Sequence, residues 1–215
     1  MLELEVSLKN AVVSGEMNTI DRLVNKLIGI GIDEWTILTQ MTKGLEIAGD
    51  KYNRGESPIH DFILAGDTMR QGLEVVLPRI GYYEGKVRGR VVLGVVQGDM
   101  HELGKNIVKY VLQGGGYRVY DIGVDIPPYM FAKKIKEKNA DIVGASAYTT
   151  TTSYRLREVS TALEEEGIRD KVKYLIGGSA VSEEHVNWTG ADGFAKNAKQ
   201  AVLAADKLMS KELIL

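Results

Sequence analysis

Residues Gly98–Val108 read GDMHELGKNIV. An unbroken apolar run, Val91–Val96, precedes them, and a helical repeat follows: Leu103, Ile107, Val108, Val111 and Leu112. An apolar run, a turn and then 3.6-residue periodicity predict a buried strand that feeds a helix. Asp99 and His101 would therefore stand in the turn at the carboxyl end of a strand, where open α/β sheets bind their ligands.

The same grammar continues downstream. The first strand is predicted at Arg90–Gln97, and others at Tyr117–Ile122, Asp141–Ala145, Val172–Ile176 and Gly193–Ala195. Between them fall helices: Leu103–Gln113, stopped by glycines; one after Pro127-Pro128 through Ile135; one after a Ser/Thr-rich loop through Leu163, ending at Gly167; a short one around His185; and Ala198–Leu213. Alternating strands and helices imply a five-stranded parallel sheet with helices on both faces, a Rossmann-like (flavodoxin-like) α/β domain over residues 90–215. The expected strand order is 2-1-3-4-5, with its switch point between strands one and three. The loops after strands one, three and four should then share one crevice.

Upstream, residues 1–85 read as helices alone. Apolar positions repeat over Met1–Ser14, and Gly15 stops them. Asn18 or Thr19 offers a cap for a second helix. Asp33 offers one for a third helix that runs to Asn53, and Ser57 with Pro58 starts a fourth that ends near Pro78. Short connections make these an all-α four-helix bundle. Tyr82–Gly89, polar and Gly-bearing, is the expected domain boundary and hinge.

The composition excludes several functions. Net charge is −2, from 27 basic and 29 acidic residues, so there is no basic excess for nucleic acid. There are no cysteines, hence no disulfides, no thiolate nucleophile and no Cys-based metal site. No apolar run is long enough for a membrane span, and the amino terminus lacks the basic and apolar segments of a signal peptide. These readings lead to the expectation of a cytoplasmic protein.

Taken alone, a D-x-H in a turn is most often a solvated histidine beside a capping aspartate. As a zinc site it is short of ligands, because even open zinc sites usually take three. As a hydrolase it lacks a G-x-S-x-G elbow. A histidine with a carboxylate partner suffices, however, when the metal arrives with its other ligands attached, as in a macrocycle such as haem or cobalamin. Two further loops bear on this. Ser146–Ser153 (SAYTTTTS) lines a strand end with hydroxyls. Gly177-Gly178 follows strand four directly, where glycine permits close approach to the backbone.

D-x-H-x-x-G after strand one, a Ser-rich loop after strand three and Gly-Gly after strand four together resemble the cobalamin-binding domain. The resemblance extends over nearly the whole chain. It includes GDKYNRGESPIHDFILAGDTMRQGLEVVLP (Gly49–Pro78) in the bundle and FAKNAKQAV near the end, and it is to the corrinoid methyl-carrier proteins of methyltransferase systems and the cobalamin region of methionine synthase.

The resemblance implies that His101 displaces the cofactor's own base and binds cobalt from below (base-off/His-on), with Asp99 as its hydrogen-bond partner. It places Gly98, Met100, Glu102 and Gly104 along the cofactor. It lines the nucleotide slot with Ser146, Tyr148, Thr150, Gly177, Gly178 and Ala198, and it sets Tyr52 and Ile59 of the bundle over the upper face. It implies a methyl group carried on cobalt, with methylcobalamin as intermediate, and three partners: a substrate-specific methyltransferase, an acceptor methyltransferase and a reductive activation protein. A cobalamin sensor or storage protein is the alternative. The chain departs from the family at Glu102 and Leu103, where Asp and Ile are frequent, at Tyr148, where Leu or Met is frequent, and in the bundle at Tyr52 in place of Phe and His60 in place of Pro.

Overall fold

The computed structural model describes residues 2–81 and 86–210. Chain contacts divide it into two units, Met1–Ile80 and Gly81–Leu215. Part of the hinge expected at Tyr82–Gly89 lies outside the described residues, as does the helix end expected at Leu213.

The first unit is four helices, α1 (Leu2–Val13), α2 (Met17–Gly29), α3 (Glu34–Asn53) and α4 (Ile59–Ile80). Their apolar stripes meet in a core that includes Leu8, Val12, Ile20, Val24, Ile37, Met41, Met69 and Val76. Asp33 caps α3 as expected: the Thr36 N–H donates to Oδ1 at 3.0 Å and the Thr36 hydroxyl to Oδ2 at 2.6 Å. Those bonds, the hydroxyl's first, hold the Asp33 carboxyl below its usual range.

Two helix starts differ from expectation. α2 begins at Met17, after Glu16 and with no side-chain cap, so Asn18 and Thr19 lie within its first turn. There the Thr19 hydroxyl bonds back to the Glu16 carbonyl at 3.1 Å. α4 starts at Ile59, one residue beyond Pro58. It also runs past Pro78 to Ile80, because a proline in the last turn forfeits only one ladder bond.

The second unit carries β1 (Gly89–Val95), α5 (Leu103–Gly114), β2 (Tyr117–Asp121), α6 (Pro128–Lys138), β3 (Ile142–Ser146), α7 (Thr150–Ser153), α8 (Arg155–Glu165), β4 (Lys173–Gly177), α9 (His185–Thr189), β5 (Gly193–Ala195) and α10 (Ala198–Ser210). The sheet is parallel throughout, in the order β2-β1-β3-β4-β5. β1 is buried along nearly its whole length because both faces of the sheet are covered. Val92, Val96, Val143 and Ile176 face one core with Phe131 of α6 and Leu156 and Leu163 of α8. Val91, Leu93, Ile142 and Leu175 face the other, with Leu112 of α5 and Ala201 and Ala205 of α10.

Lys105, one helical turn after His101, has a side chain only 1% exposed. Its ammonium meets both Asp121 oxygens at 2.6 Å and Asn106 Oδ1 at 2.7 Å. A buried cation needs such partners, since an unpaired one costs several kcal/mol. The pair fastens the first turn of α5 to the end of β2, and so fixes the base from which the Asp99–His101 turn projects.

Candidate functional site

The turn after β1 is built by one glycine. The Asp99 N–H donates to the Val96 carbonyl at 3.2 Å, and Gly98, third of these four residues, has φ +82°. That is the positive φ a type II turn demands at its third position. The neighbouring loop after β2 locks onto it. The Gly98 N–H donates to Asp125 Oδ1 at 2.7 Å, and the Asp125 N–H donates to the Asp99 carbonyl at 3.0 Å.

The turn drives the Asp99 carboxylate inward until its side chain is fully buried. Four donors meet it there. Oδ1 accepts from the His101 N–H at 3.0 Å and the His101 ring at 2.7 Å. Oδ2 accepts from the Tyr148 N–H at 2.7 Å and the Thr152 hydroxyl at 2.6 Å. Burial alone would push this carboxyl up, but the Thr152 hydroxyl, the two amides and the imidazole outweigh it and hold it at about 2. Asp99 is thus a carboxylate at neutral pH and can only accept. The proton of the shared bond sits on His101 Nδ1, so in the neutral tautomer it is Nε2 that carries the lone pair.

His101 Nε2 has no hydrogen-bond partner among the described residues, and the side chain is 52% exposed. An imidazole held by a buried carboxylate, with its other nitrogen free of protein partners, has the geometry of a metal ligand. No group of three or more His, Cys, Asp or Glu side chains that could hold a metal ion occurs among the described residues. The donor set therefore suits a metal that brings its other ligands with it, such as a corrinoid.

Thr152 is the residue that sequence reasoning missed, since it stood only within a run of four threonines. α7 opens with a capping box. The Thr152 N–H donates to Thr149 Oγ1, and the Thr149 N–H donates to Thr152 Oγ1, both at 3.2 Å. The Thr149 hydroxyl also lies 2.8 Å from that of Thr152, which points on to Asp99. The spacing of a capping box, two hydroxyls three positions apart, was the available signal.

Replacing Thr152 by Ala is expected to cost about 1–3 kcal/mol at pH 7, the penalty for depriving a buried carboxylate of a donor, while Ser retains most of it. The sign with pH follows from the lowered pKa. Asp99 stabilises the fold above its ordinary 3.8 and loses that contribution as pH falls through about 2. In urea titrations the gap between wild type and Thr152→Ala should therefore close on acidification.

The other expected residues are placed as follows. Ser146 ends β3 in register with Val95 of β1 and Gly177 of β4, and Gly177 is in register with Ala195 of β5. Gly177 and Gly178 leave no room for a side chain of their own. A Cβ at Gly177 would lie 2.9 Å from the Ala195 carbonyl oxygen, and one at Gly178 2.0 Å from that of Ala147. The chain's own backbone uses that space. Gly104, by contrast, has open space beside it at the start of α5.

Met100 is 67% exposed at the tip of the turn, and Glu102 is the residue before α5. Thr150, exposed, begins α7 and gives its carbonyl to Ser153. Ala198 begins α10, which packs on α5. Tyr148 lies against the His101 ring. In the bundle, Tyr52 stacks on Phe62 with centroids 6.0 Å apart, and Ile59 is exposed at the head of α4.

A parallel sheet of this order thus presents, at its switch point, one imidazole nitrogen without a protein partner and an open glycine beside it. Residues 89–204 match the B12 binding domain family, and residues 4–77 match a second family of the same description. The chain belongs to the B12-binding corrinoid proteins. It is 36% identical to a corrinoid protein of Desulfitobacterium hafniense (strain Y51), over 98% of this chain and all of that one. Its structure is similar to the monomethylamine corrinoid protein of Methanosarcina barkeri, with TM-score 0.90 and 27% identity, over 96% of this chain and 99% of that one. It is also similar to a methanol:cobalamin methyltransferase complex of the same organism, with TM-score 0.55 and 28% identity, over 97% of this chain and 80% of that one.

Proposed function

We propose that this chain carries a methyl group on a bound corrinoid between two methyltransferases, with His101 as the lower ligand of the cobalt. The observation that carries the ligand assignment is the His101–Asp99 pair, with Nδ1 bound to a buried carboxylate and Nε2 free. The bound corrinoid supplies the group-transfer chemistry, since its cobalt accepts a methyl group and gives it up again.

The residues supply the rest. His101 replaces the cofactor's own base, and Asp99 keeps the imidazole in the tautomer that can ligate. Thr152 and the Tyr148 amide keep Asp99 ionised. Gly98 shapes the turn on which Met100 and Glu102 flank the ligand, and Gly104 lets the displaced tail run close to α5. Ser146, Thr150 and Ala198 border the slot for that tail, while Gly177 and Gly178 bring its walls together. Tyr52 and Ile59 serve as the cover of the reactive face, which excludes water and must yield to each partner.

The partners are a substrate-specific methyltransferase, an acceptor methyltransferase and a reductive activation protein. One similar protein is named for monomethylamine and another belongs to a methanol system. That similar carriers are named for different methyl donors supports a reading in which substrate recognition lies in the partner enzyme. No helix among the described residues is long and apolar enough to cross a membrane; a cytoplasmic location belongs to the same reading.

The test is reconstitution with cobalamin, reduction, and incubation with candidate methyltransferases and their methylated substrates. Stoichiometric methylation of the bound corrinoid, followed by its loss to an acceptor enzyme, is the expected result. A holoprotein that no methyltransferase methylates, yet which releases cobalamin on demand, would favour storage instead.

A further inference from the structure

Tyr148 departs from the residues usual at its position, and its contacts give that departure a meaning. Its ring lies flat on the His101 imidazole, with centroids 4.1 Å and planes 18° apart. Its own N–H donates to Asp99 Oδ2 at 2.7 Å. One residue thus touches both members of the pair, its amide on the carboxylate and its ring on the imidazole. The Tyr148 side chain is half exposed, so no surrounding core forces it into this stack.

A single side-chain hydrogen bond at Nδ1 leaves an imidazole free to rock about that bond. A flat partner on one face removes this freedom, and stacking of this geometry is itself favourable. The aim of Nε2 is then set by two contacts at right angles, one in the plane of the ring and one above it.

We propose that Tyr148 is a positioning residue for His101, holding the plane of the imidazole so that Nε2 keeps one direction whether or not it is ligated. This rests on the reading of His101 as the lower ligand. A ring held in place loses less freedom on binding cobalt, and on detachment it stays where it can bind again. Tyr148 thereby shifts the balance toward the histidine-ligated form. The ring face makes the contact and the hydroxyl takes no part, so Phe preserves the effect and Leu removes it.

The experiment compares wild type, Tyr148→Phe, Tyr148→Leu and His101→Ala by two measurements. In the cofactor-free protein, the His101 ring protons should show an upfield ring-current shift by NMR in wild type and Tyr148→Phe, and lose it in Tyr148→Leu. In the reconstituted cobalt(II) protein, electron paramagnetic resonance with isotopically labelled histidine nitrogen reports the fraction of cobalt ligated by histidine. Tyr148→Phe should match wild type, and Tyr148→Leu should lower the ratio of ligated to unligated form by about threefold or more, the worth of an aromatic stack.

An equal ratio in Tyr148→Leu and wild type overturns the proposal, as does the absence of the ring-current shift in wild type. If His101→Ala abolishes the splitting while Tyr148→Leu leaves it intact, only the role of Tyr148 falls. If wild type itself shows no histidine splitting, the ligand reading falls and the role of Tyr148 with it.

Discussion

His101→Ala protein, reconstituted with cobalamin, is expected to hold the cofactor with no protein ligand beneath the cobalt. Its visible spectrum should move to that of a corrinoid without a lower nitrogen donor, while the wild-type holoprotein at the same pH keeps a nitrogen-ligated spectrum. Affinity should fall by at least about tenfold, since loss of a supporting partner alone commonly costs that much and here the ligand itself is removed. Some binding should persist, because the slot proposed for the cofactor's tail draws on Ser146, Thr150 and Ala198, which this substitution leaves untouched. The fold should survive too, as the imidazole is half exposed and Asp99 keeps its three other donors. An unchanged spectrum would remove His101 from the cobalt.

The second large effect concerns stability. Gly178→Ala is expected to cripple the α/β unit. Gly178 has φ +118°, a conformation side-chain-bearing residues rarely adopt, and an added Cβ would lie 2.0 Å from the Ala147 carbonyl oxygen and 2.8 Å from the Ala147 nitrogen. Backbone strain of this kind costs about 1–3 kcal/mol. The overlap adds to it, because the atoms in the way are main chain and cannot rotate aside. The ends of β3 and β4 would have to part, and the Ala147 N–H would lose its bond to the Gly177 carbonyl, 3.0 Å in the native protein. Urea unfolding of the cofactor-free variant should show a loss of at least about 3 kcal/mol, or no folded α/β unit at all. A loss under about 1 kcal/mol would mean that the two strand ends are free to separate.

The sheet was legible because its signals are local. Val91–Val96 is apolar throughout, as a strand covered on both faces must be, and five such units joined by helices leave few orders open. The Asp33 cap was legible for the same reason, a donor and an acceptor three residues apart. What escaped depended on three dimensions. In Thr149–Thr152 four identical residues offer the spacing of a capping box but do not say that its second hydroxyl meets a carboxylate from the turn after β1; only the one-turn helix α7, clamped by that box, aims Thr152 at Asp99. The start of α2 escaped because no side chain caps it. Gly177 and Gly178 were recognised as unusual, but the part the sheet itself plays in requiring glycine there was not legible. Their neighbours across the sheet are 18 or more positions away in sequence, and the contact that excludes a side chain comes from those distant backbones.

The reciprocal bonds between Gly98 and the loop after β2 have a thermodynamic meaning for cofactor capture. Asp125, itself at φ 54°, accepts from one side of the ligand turn and donates to the other. With Asp99 also bound to its four donors, the turn that carries His101 is tied down by the protein alone. Little conformational entropy remains to be surrendered there on binding, so more of the interaction energy is available as affinity.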